Sequence, residues 1–398
     1  MKDGMSEFKM SVDKEDVSVI NQTENAEEKE AAYQIANIPG LGNKSIFKLL
    51  DYAGSICKAF LLSEREVYEI LEKRQAEAFL NGRENRIKNT RIDLKAEKGL
   101  EFISYVDERY PERLRNIPDP PFCLYVKGRL PSESKPAVAI IGARACSEYG
   151  KGVAGFFGRE LGKAGIQVIS GMARGIDGLA QRGALVGGGD TFGVLGCGAD
   201  VCYPPENAGL YRDISEHGGV ISEYPPGTEA KSSLFPPRNR IISGLADLLL
   251  VVEARKKSGT YITVTQALEQ GNDVFVVPGR ITDVLSDGCN YLLTQGAGVA
   301  INPGVILEEL KNRGYIQQAE GYDMHDSFIK QEKSIGTTMQ DCIYNMLDVM
   351  PVSLEEIYYK IKNHVTITME ELLLELAKLQ IAGRVIGEGN YYRRSCDL

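Results

Sequence analysis

Residues 138–177 read VAIIGARACSEYGKGVAGFFGRELGKAGIQVISGMARGID, and this stretch decides the fold. A short apolar run ends at Gly142, a helix-forming segment follows, and a second apolar run ends at Gly171. A strand, a helix and a second strand in this order form the repeating unit of a parallel sheet. The stretch therefore predicts parallel strands, each followed by a glycine-containing turn.

Five further apolar runs continue this pattern towards residue 300. They are short, rich in β-branched residues and bounded by Gly, Pro or polar residues, which is typical of strands buried on both faces. We therefore predict an α/β fold with a Rossmann-like, doubly wound, mostly parallel sheet. The predicted strands are 138–141, 167–169, 191–195, 219–221, 248–252, 273–277 and 298–300.

The sequence predicts a helical module on each side of this sheet. Before it, Pro39-Gly40-Leu41-Gly42 joins two helical segments in a helix-hairpin-helix pattern, which can bind a DNA phosphate or only pack two helices. After it, three helices and a Gly-containing hairpin indicate a winged helix. The predicted domains are a disordered acidic tail (1–30), a helix-hairpin-helix or SAM-like module (31–95), the Rossmann-like domain (96–312), a linker (313–335) and a winged helix (336–398).

Composition limits the classes of function. The 398 residues carry a net charge of −9, which argues against coating duplex DNA by bulk charge. The eight cysteines and three histidines lack metal-site spacing, so we expect neither a metal nor a cofactor. The sequence shows no apolar run long enough to span a membrane and no signal peptide, so we expect a cytoplasmic protein without membrane contact.

Basic residues concentrate directly after the predicted strands, although residues 136–310 hold 14 Lys and Arg against 18 Asp and Glu. Ligands of doubly wound sheets bind beyond the carboxyl ends of the strands. Arg144 either holds a phosphate there or pairs with a carboxylate, and Tyr203 either stacks on a base or is buried. We predict a single-stranded nucleic-acid groove lined by Gly142, Arg144, Ser147, Ser170, Gly171, Arg174, Gly175, Phe235, Arg238, Asn239, Arg240, Lys257, Ser258, Gly259 and Thr260.

These motifs together resemble the family of DNA-processing protein A over nearly everything after residue 30. The resemblance implies a cytoplasmic homodimer, formed through the Rossmann-like domain, that binds single-stranded DNA. It also implies protection of incoming DNA during natural transformation, loading of RecA recombinase, and phosphate contacts by Arg144 and Arg174. Gln181 departs from the pattern, because the family often carries His there. The matching strings are GARACSEYG (142–150), SGMARGID (170–177), LGCGAD (195–200), SEYP (222–225), FPPRNRII (235–242) and SGT (258–260).

Three other functions are weaker hypotheses. A nucleotide phosphoribohydrolase on the same fold would need a catalytic Glu where Thr263 stands, so we expect no enzymatic activity. A dinucleotide dehydrogenase would need GxGxxG, which the first turn lacks. A transcription factor would need a basic recognition helix, but the third C-terminal helix carries three Glu and one Lys, so we expect this module to contact mainly proteins.

Overall fold

The structure is a computed structural model that describes residues 26–85, 98–316, 339–347, 352–362 and 365–394. The chain divides into two compact units, Met1–Tyr110 with Pro120–Tyr125, and Pro111–Asp119 with Val126–Leu398. Most of the predicted tail and most of the predicted linker fall outside the described residues. Within those residues, no helix combines the length and the apolar composition needed to cross a bilayer.

The first unit is mainly helical. The predicted tail ends earlier than residue 30, because residues 26–30 already belong to α1, and the carboxylate of Glu28 accepts the backbone N–H of Cys57 at 3.0 Å. The capping box predicted at Ser63 and Glu66 is confirmed, since each side chain accepts a backbone N–H of the other residue. The elements are α1 (26–36), α2 (Asn43–Ala53), α3 (Ile56–Ala59), α4 (Glu64–Ile70), α5 (Lys73–Asn85) and β1 (Glu101–Ser104).

The second unit contains all seven predicted strands, and the predicted parallel sheet is confirmed. Its strands, with β2 divided between the units, are β2 (Cys123–Gly128), β3 (Ala137–Ile141), β4 (Gln167–Ser170), β5 (Thr191–Val194), β6 (Gly219–Ser222), β7 (Leu248–Val251), β8 (Asp273–Val276) and β9 (Gly298–Val299). Its helices up to residue 312 are α6 (Glu112–Arg115), α7 (Glu148–Lys163), α8 (Ile176–Val186), α9 (Ala208–His217), α10 (Phe235–Gly244), α11 (Thr260–Glu269), α12 (Asp287–Thr294) and α13 (Pro303–Asn312).

The strand order places a reversal of winding at the centre of the sheet. The seven parallel strands lie in the order β6-β5-β4-β3-β7-β8-β9, so the chain runs outward from β3 to β6 and then returns to the other side of β3. On one face, Val138 and Ile140 of β3 belong to a core cluster with Phe157 of α7 and Ala180 of α8. Connections that leave β3 and β7 in opposite directions open a crevice between their carboxyl ends.

The C-terminal part of the second unit forms a small three-stranded sheet with helices. Leu372, Leu376 and Leu379, predicted to form one apolar stripe, are all buried in its core, and the capping box predicted at Thr368 and Glu371 is confirmed. The strands pair antiparallel in the order β10-β12-β11. The elements are α14 (Met339–Met346), β10 (Val352–Ser353), α15 (Leu354–Lys362), α16 (Met369–Ile381), β11 (Val385–Glu388) and β12 (Tyr391–Arg394).

Candidate nucleic-acid interface

A cavity of about 520 Å³, which we name the central cavity, opens in the crevice between β3 and β7. One wall is the turn after β3, residues 142–145, and the opposite wall is the segment after β7 that leads into α11. Its position at the reversal of strand order is where open α/β sheets bind ligands. The predicted residues that line it are Gly142, Arg144, Phe235, Arg238, Asn239, Ser258, Gly259 and Thr260.

The turns after β3 and β4 pack directly against each other. Gly175 has a φ of 74°, and a Cβ there would lie 2.4 Å from the carbonyl oxygen of Ala143. Only glycine tolerates both this backbone conformation and this approach. Asp177 holds the second turn, because its carboxylate accepts the N–H of Gly171 at 3.2 Å. Burial raises the pKa of Asp177, although Arg238 and backbone N–H groups act in the opposite direction. The turns after β3 and β4 therefore form one composite surface and not two separate ones.

Arg144 is the exposed basic residue of the first turn. Its guanidinium lies 5.1 Å from the ring centroid of Phe235, and Phe235 stacks on Tyr203 with centroids 5.5 Å apart. Within the described part of the chain, Arg144 forms no salt bridge, so the carboxylate partner that the sequence allowed is not found. Tyr203 is 39% exposed, so part of its surface remains open to solvent. A charged group beside aromatic surface suits a phosphate next to a base.

Arg174 is the exposed basic residue of the second turn, and it has a carboxylate partner. Its guanidinium forms an ion pair with Glu206, which precedes α9. The backbone N–H of Glu206 and then Arg174 lower the pKa of this carboxyl group, so Glu206 is ionised at neutral pH. A phosphate that binds Arg174 must therefore compete with a carboxylate of the protein itself.

Arg238 and Arg240 are buried, in contrast to the exposed positions expected for a basic cluster. Arg238 is 4% exposed, and its guanidinium donates to the carbonyl oxygens of Gly171, at 3.1 Å, and of Val194. Its burial lowers its pKa to about 10. Arg240 donates two hydrogen bonds to Glu223, at 2.9 and 2.6 Å, and lines none of the described cavities. Arg238 thus braces the turn after β4 from within the protein, and Arg240 braces the segment after β6.

The helix start explains this burial. The sequence suggested a loop up to Arg240 and a helix from residue 241, but α10 begins at Phe235. Pro236 and Pro237 follow Phe235 in the first turn of the helix, where a missing N–H costs nothing. Phe235 and Arg238, three residues apart, share a helix face that lies against the sheet.

Three other predicted residues lie away from the cavities described. The hydroxyl of Ser147 donates to the buried Glu253 and accepts the N–H of Gly150 at 3.0 Å, so Ser147 caps α7. Ser170 donates to the carbonyl oxygen of Ile140 at 2.6 Å and is fully buried. Lys257 is exposed but lines none of these cavities.

Two further cavities adjoin the central one through Arg144. The first, of about 50 Å³, is bounded by Tyr203, Phe235 and the predicted Gly171. The second, of about 740 Å³, contains Arg174 and Gly175 and is named the hairpin cavity because Ile386 and Arg393 of the C-terminal hairpin line it. The predicted site omitted four basic lining residues: Arg255 in the central cavity, and Lys151, Arg182 and Arg393 in the hairpin cavity.

Gln181 and the side chains that could bind a metal are the remaining features of the sequence analysis. Gln181, the departure from the family pattern, is fully buried and donates to the carbonyl oxygen of Phe192 at 2.9 Å, away from the cavities described. In the described part of the chain, no three His, Cys, Asp or Glu side chains come together as a possible metal site.

Comparison with known proteins places this geometry in context. The model of a family described as DNA recombination-mediator protein A matches residues 101–311. The chain is 37% identical over 277 residues to the DNA processing protein DprA of Streptococcus pneumoniae, covering 68% of this chain and 95% of that protein. It is 39% identical over 227 residues to the DprA of Bacillus subtilis, covering 57% and 76%. The X-ray structure of the Streptococcus pneumoniae protein matches with a TM-score of 0.63 and 35% identity, over 71% of this chain and 97% of that one.

Proposed function

This chain belongs to the DNA recombination-mediator protein A family, and from that premise we propose that it binds single-stranded DNA along the carboxyl edge of its parallel sheet. The observation that carries the proposal is Arg144, exposed, without a salt bridge among the described residues, and shared by three adjoining cavities. A guanidinium in this position can hold a phosphate while the strand continues in either direction.

The surroundings of Arg144 favour a single strand over a duplex. Tyr203 and Phe235 offer aromatic surface, and only unpaired bases expose the ring faces that stack on it. The net charge of −9 opposes binding that depends on total charge alone. A narrow row of cations beside aromatic rings is suited to a flexible strand.

The predicted contact residues separate into two roles under this proposal. Arg144, Arg174 and the turn at Ser258, Gly259 and Thr260 face open cavities and contact the strand. Ser147, Ser170 and Arg238 position the turns through their internal hydrogen bonds, and Arg240 positions the segment after β6. Positioning is essential to binding, because a groove needs its donors in fixed places.

We propose that the protein acts by binding and not by catalysis. Thr263, which stands where a phosphoribohydrolase would carry its catalytic Glu, is 3% exposed. The nearby Glu253 accepts hydrogen bonds from the N–H and hydroxyl of Ser147 and does not line the central cavity. Neither Thr263 nor Glu253 therefore supplies a carboxylate that could act as general acid on a nucleotide in that cavity.

The family resemblance extends the proposal to partners and domains. The family's description as a recombination mediator supports loading of a recombinase, RecA, onto the bound strand. Natural transformation and a homodimer formed through the Rossmann-like domain are proposed because the family resemblance implies them. We also interpret residues 31–95 as a helix-hairpin-helix module and residues 336–398 as a winged helix. The order α14-β10-α15-α16-β11-β12 supports the second interpretation.

The test is the salt dependence of DNA binding. We expect Arg144→Ala and Arg174→Ala each to weaken binding of a fluorescent single-stranded oligonucleotide, with little dependence on its sequence. Each lost phosphate contact reduces the slope of log K against log salt by about 0.7. Anisotropy titrations at several salt concentrations measure both quantities.

Lys163→Ala is the matched control, because this exposed cation lies at the far end of α7, at the opposite edge of the sheet. It should leave affinity and slope unchanged. If a folded Arg144→Ala variant keeps the wild-type slope, or if Lys163→Ala reduces it equally, the proposed site is wrong.

A further inference from the structure

The C-terminal hairpin contacts the start of α7, the helix that follows the turn with Arg144. Arg393 of β12 donates to the carboxylate of Glu148 at 2.8 Å, and Glu148 is the first residue of α7. Lys151 donates to the other carboxylate oxygen of Glu148 at 2.7 Å. One carboxylate therefore lies between two cations, one from the sheet domain and one from the hairpin.

The hairpin cavity behind this contact has more basic than acidic residues around it. Among its lining residues, five are cations (Arg144, Lys151, Arg174, Arg182 and Arg393) and two are carboxylates, Glu148 and Glu206. Asp213 neutralises Arg182 from outside the lining. Even with that residue counted, cations outnumber carboxylates by five to three. An open volume of about 740 Å³ with this excess attracts a chain of phosphates.

This cavity adjoins the proposed binding groove. Arg144 lines both the central cavity and the hairpin cavity, so a strand held at Arg144 has access to both. The acidic helix α16, which argued against nucleic-acid contact by the C-terminal module, contributes no lining residue. The hairpin instead presents Ile386 and Arg393, one apolar and one cationic side chain.

We propose that the hairpin cavity is a second binding segment for the phosphodiester backbone of the same single strand, with Arg393 holding a phosphate in place of Glu148. This inference rests on the proposed function and extends the binding site from the sheet domain to the C-terminal hairpin. A strand long enough to pass Arg144 fills this cavity, whereas a short one is accommodated in the central cavity alone.

The experiment compares oligothymidylates of about 6 and about 20 nucleotides on the full-length protein, since single-strand sites of this kind span several nucleotides. We expect Arg393→Gln to weaken binding of the longer strand about three- to tenfold and to reduce its salt slope by about 0.7, with binding of the shorter strand unchanged. Arg393→Lys, which keeps the charge, should restore most of the affinity.

Two controls distinguish a direct contact between Arg393 and the strand from docking of the hairpin on the sheet domain. Lys360→Gln removes a cation of the same module that also pairs with a Glu, Glu356, and should change neither strand. Glu148→Gln breaks the ion pair but keeps both cations, so the longer strand should bind at least as tightly as to the wild type. Equal losses in Glu148→Gln and Arg393→Gln would show that only hairpin docking matters and would overturn the inference.

The remaining outcomes are also decisive. If Arg393→Gln leaves the longer strand unaffected or binds it more tightly, the hairpin does not hold the strand and the inference is wrong. Arg144→Ala distinguishes this failure from that of the proposed function, because it should weaken both strands. If Arg144→Ala changes neither strand, the proposed function itself fails.

Discussion

Arg144 and Arg174 occupy equivalent places after neighbouring strands, yet their surroundings differ. Arg144 lies beside an aromatic ring, whereas Arg174 forms an ion pair with Glu206. An ion pair at the surface is weak, but it occupies the same guanidinium that a phosphate would use. Under the proposed function, Glu206 is therefore an internal competitor of the strand, while Arg144 has no such competitor among the described residues.

Replacement of this competitor gives a prediction at the residue scale. Glu206→Gln should tighten single-stranded DNA binding by about two- to fivefold at low salt, because Arg174 no longer has to leave a carboxylate. Competition anisotropy measures the change. Glu216→Gln, the same change of charge near the other end of α9, is the control. Equal tightening by both variants would indicate a general effect of net charge and would contradict the local explanation.

Tight packing of α7 on α8 fixes the two turns at the element scale. A Cβ on Gly158 of α7 would lie 2.0 Å from the carbonyl oxygen of Ala180, so the two backbones meet without a side chain between them. Helices that approach this closely transmit a displacement of one to the other. The turn that precedes each helix, with Arg144 or Arg174, is therefore held in register by this contact.

This packing predicts a stability difference between two glycines in helices. Gly158→Ala should destabilise the protein by about 1–3 kcal/mol, because the added methyl group forces the helices apart. Gly209→Ala, in α9, meets only an ordinary contact at 3.7 Å and should be neutral or slightly stabilising. Urea unfolding measures both. A Gly158→Ala variant as stable as the wild type would show that the helices separate without cost.

At the scale of the whole molecule, each unit contains a carboxylate that depends on paired cations. In the first unit, burial raises the pKa of Asp107, but hydrogen bonds from Arg109 outweigh this effect and lower it. In the second unit, burial likewise raises the pKa of Asp190, but Lys135 and Arg129 outweigh this effect and lower it. Their nitrogen atoms lie 2.9 and 2.6 Å from the carboxylate oxygens of Asp190. A lowered folded-state pKa stabilises the protein above the unfolded value and loses that effect as pH falls.

The expected result is a pH-dependent effect of one substitution. Asp190→Asn should lower the free energy of unfolding by about 0.5–1 kcal/mol at pH 7, because its cationic partners are half exposed. The difference from the wild type should fade below about pH 4, as the native carboxyl group becomes protonated. Denaturation at a series of pH values tests this. A difference that stays constant down to pH 2.5 would assign the effect to packing instead of charge.

Most of the fold could be predicted because its determinants are local. The seven parallel strands are short apolar runs with clear boundaries, and the capping boxes at Ser63 and Thr368 depend on residues three apart. The turns after β3 and β4 were predicted as the site because every parallel strand places its carboxyl end at the same edge. Periodicity and spacing contain this information before any tertiary contact forms.

The roles of the basic residues could not be predicted in the same way. Arg238 and Arg144 look equivalent in sequence, but Arg238 donates to carbonyl oxygens inside the protein and Arg144 faces solvent. That difference depends on where α10 begins and on which carbonyl groups of β5 and the second turn lack partners. These carbonyl groups belong to segments distant in sequence from Arg238, so the local pattern around Arg238 does not reveal their need for a donor.

By itself, the sequence determined the parallel sheet, the glycine turns at its carboxyl edge and the concentration of cations there, because each follows from local pattern. Only the tertiary structure decided which cations reach the cavities, that Glu206 and Glu148 form ion pairs with some of them, and that Arg393 lines the same cavity as Arg144 across 249 residues of sequence. The physical reason is that burial and ion pairing depend on through-space distances, which strand pairing and helix packing set after the local elements have formed.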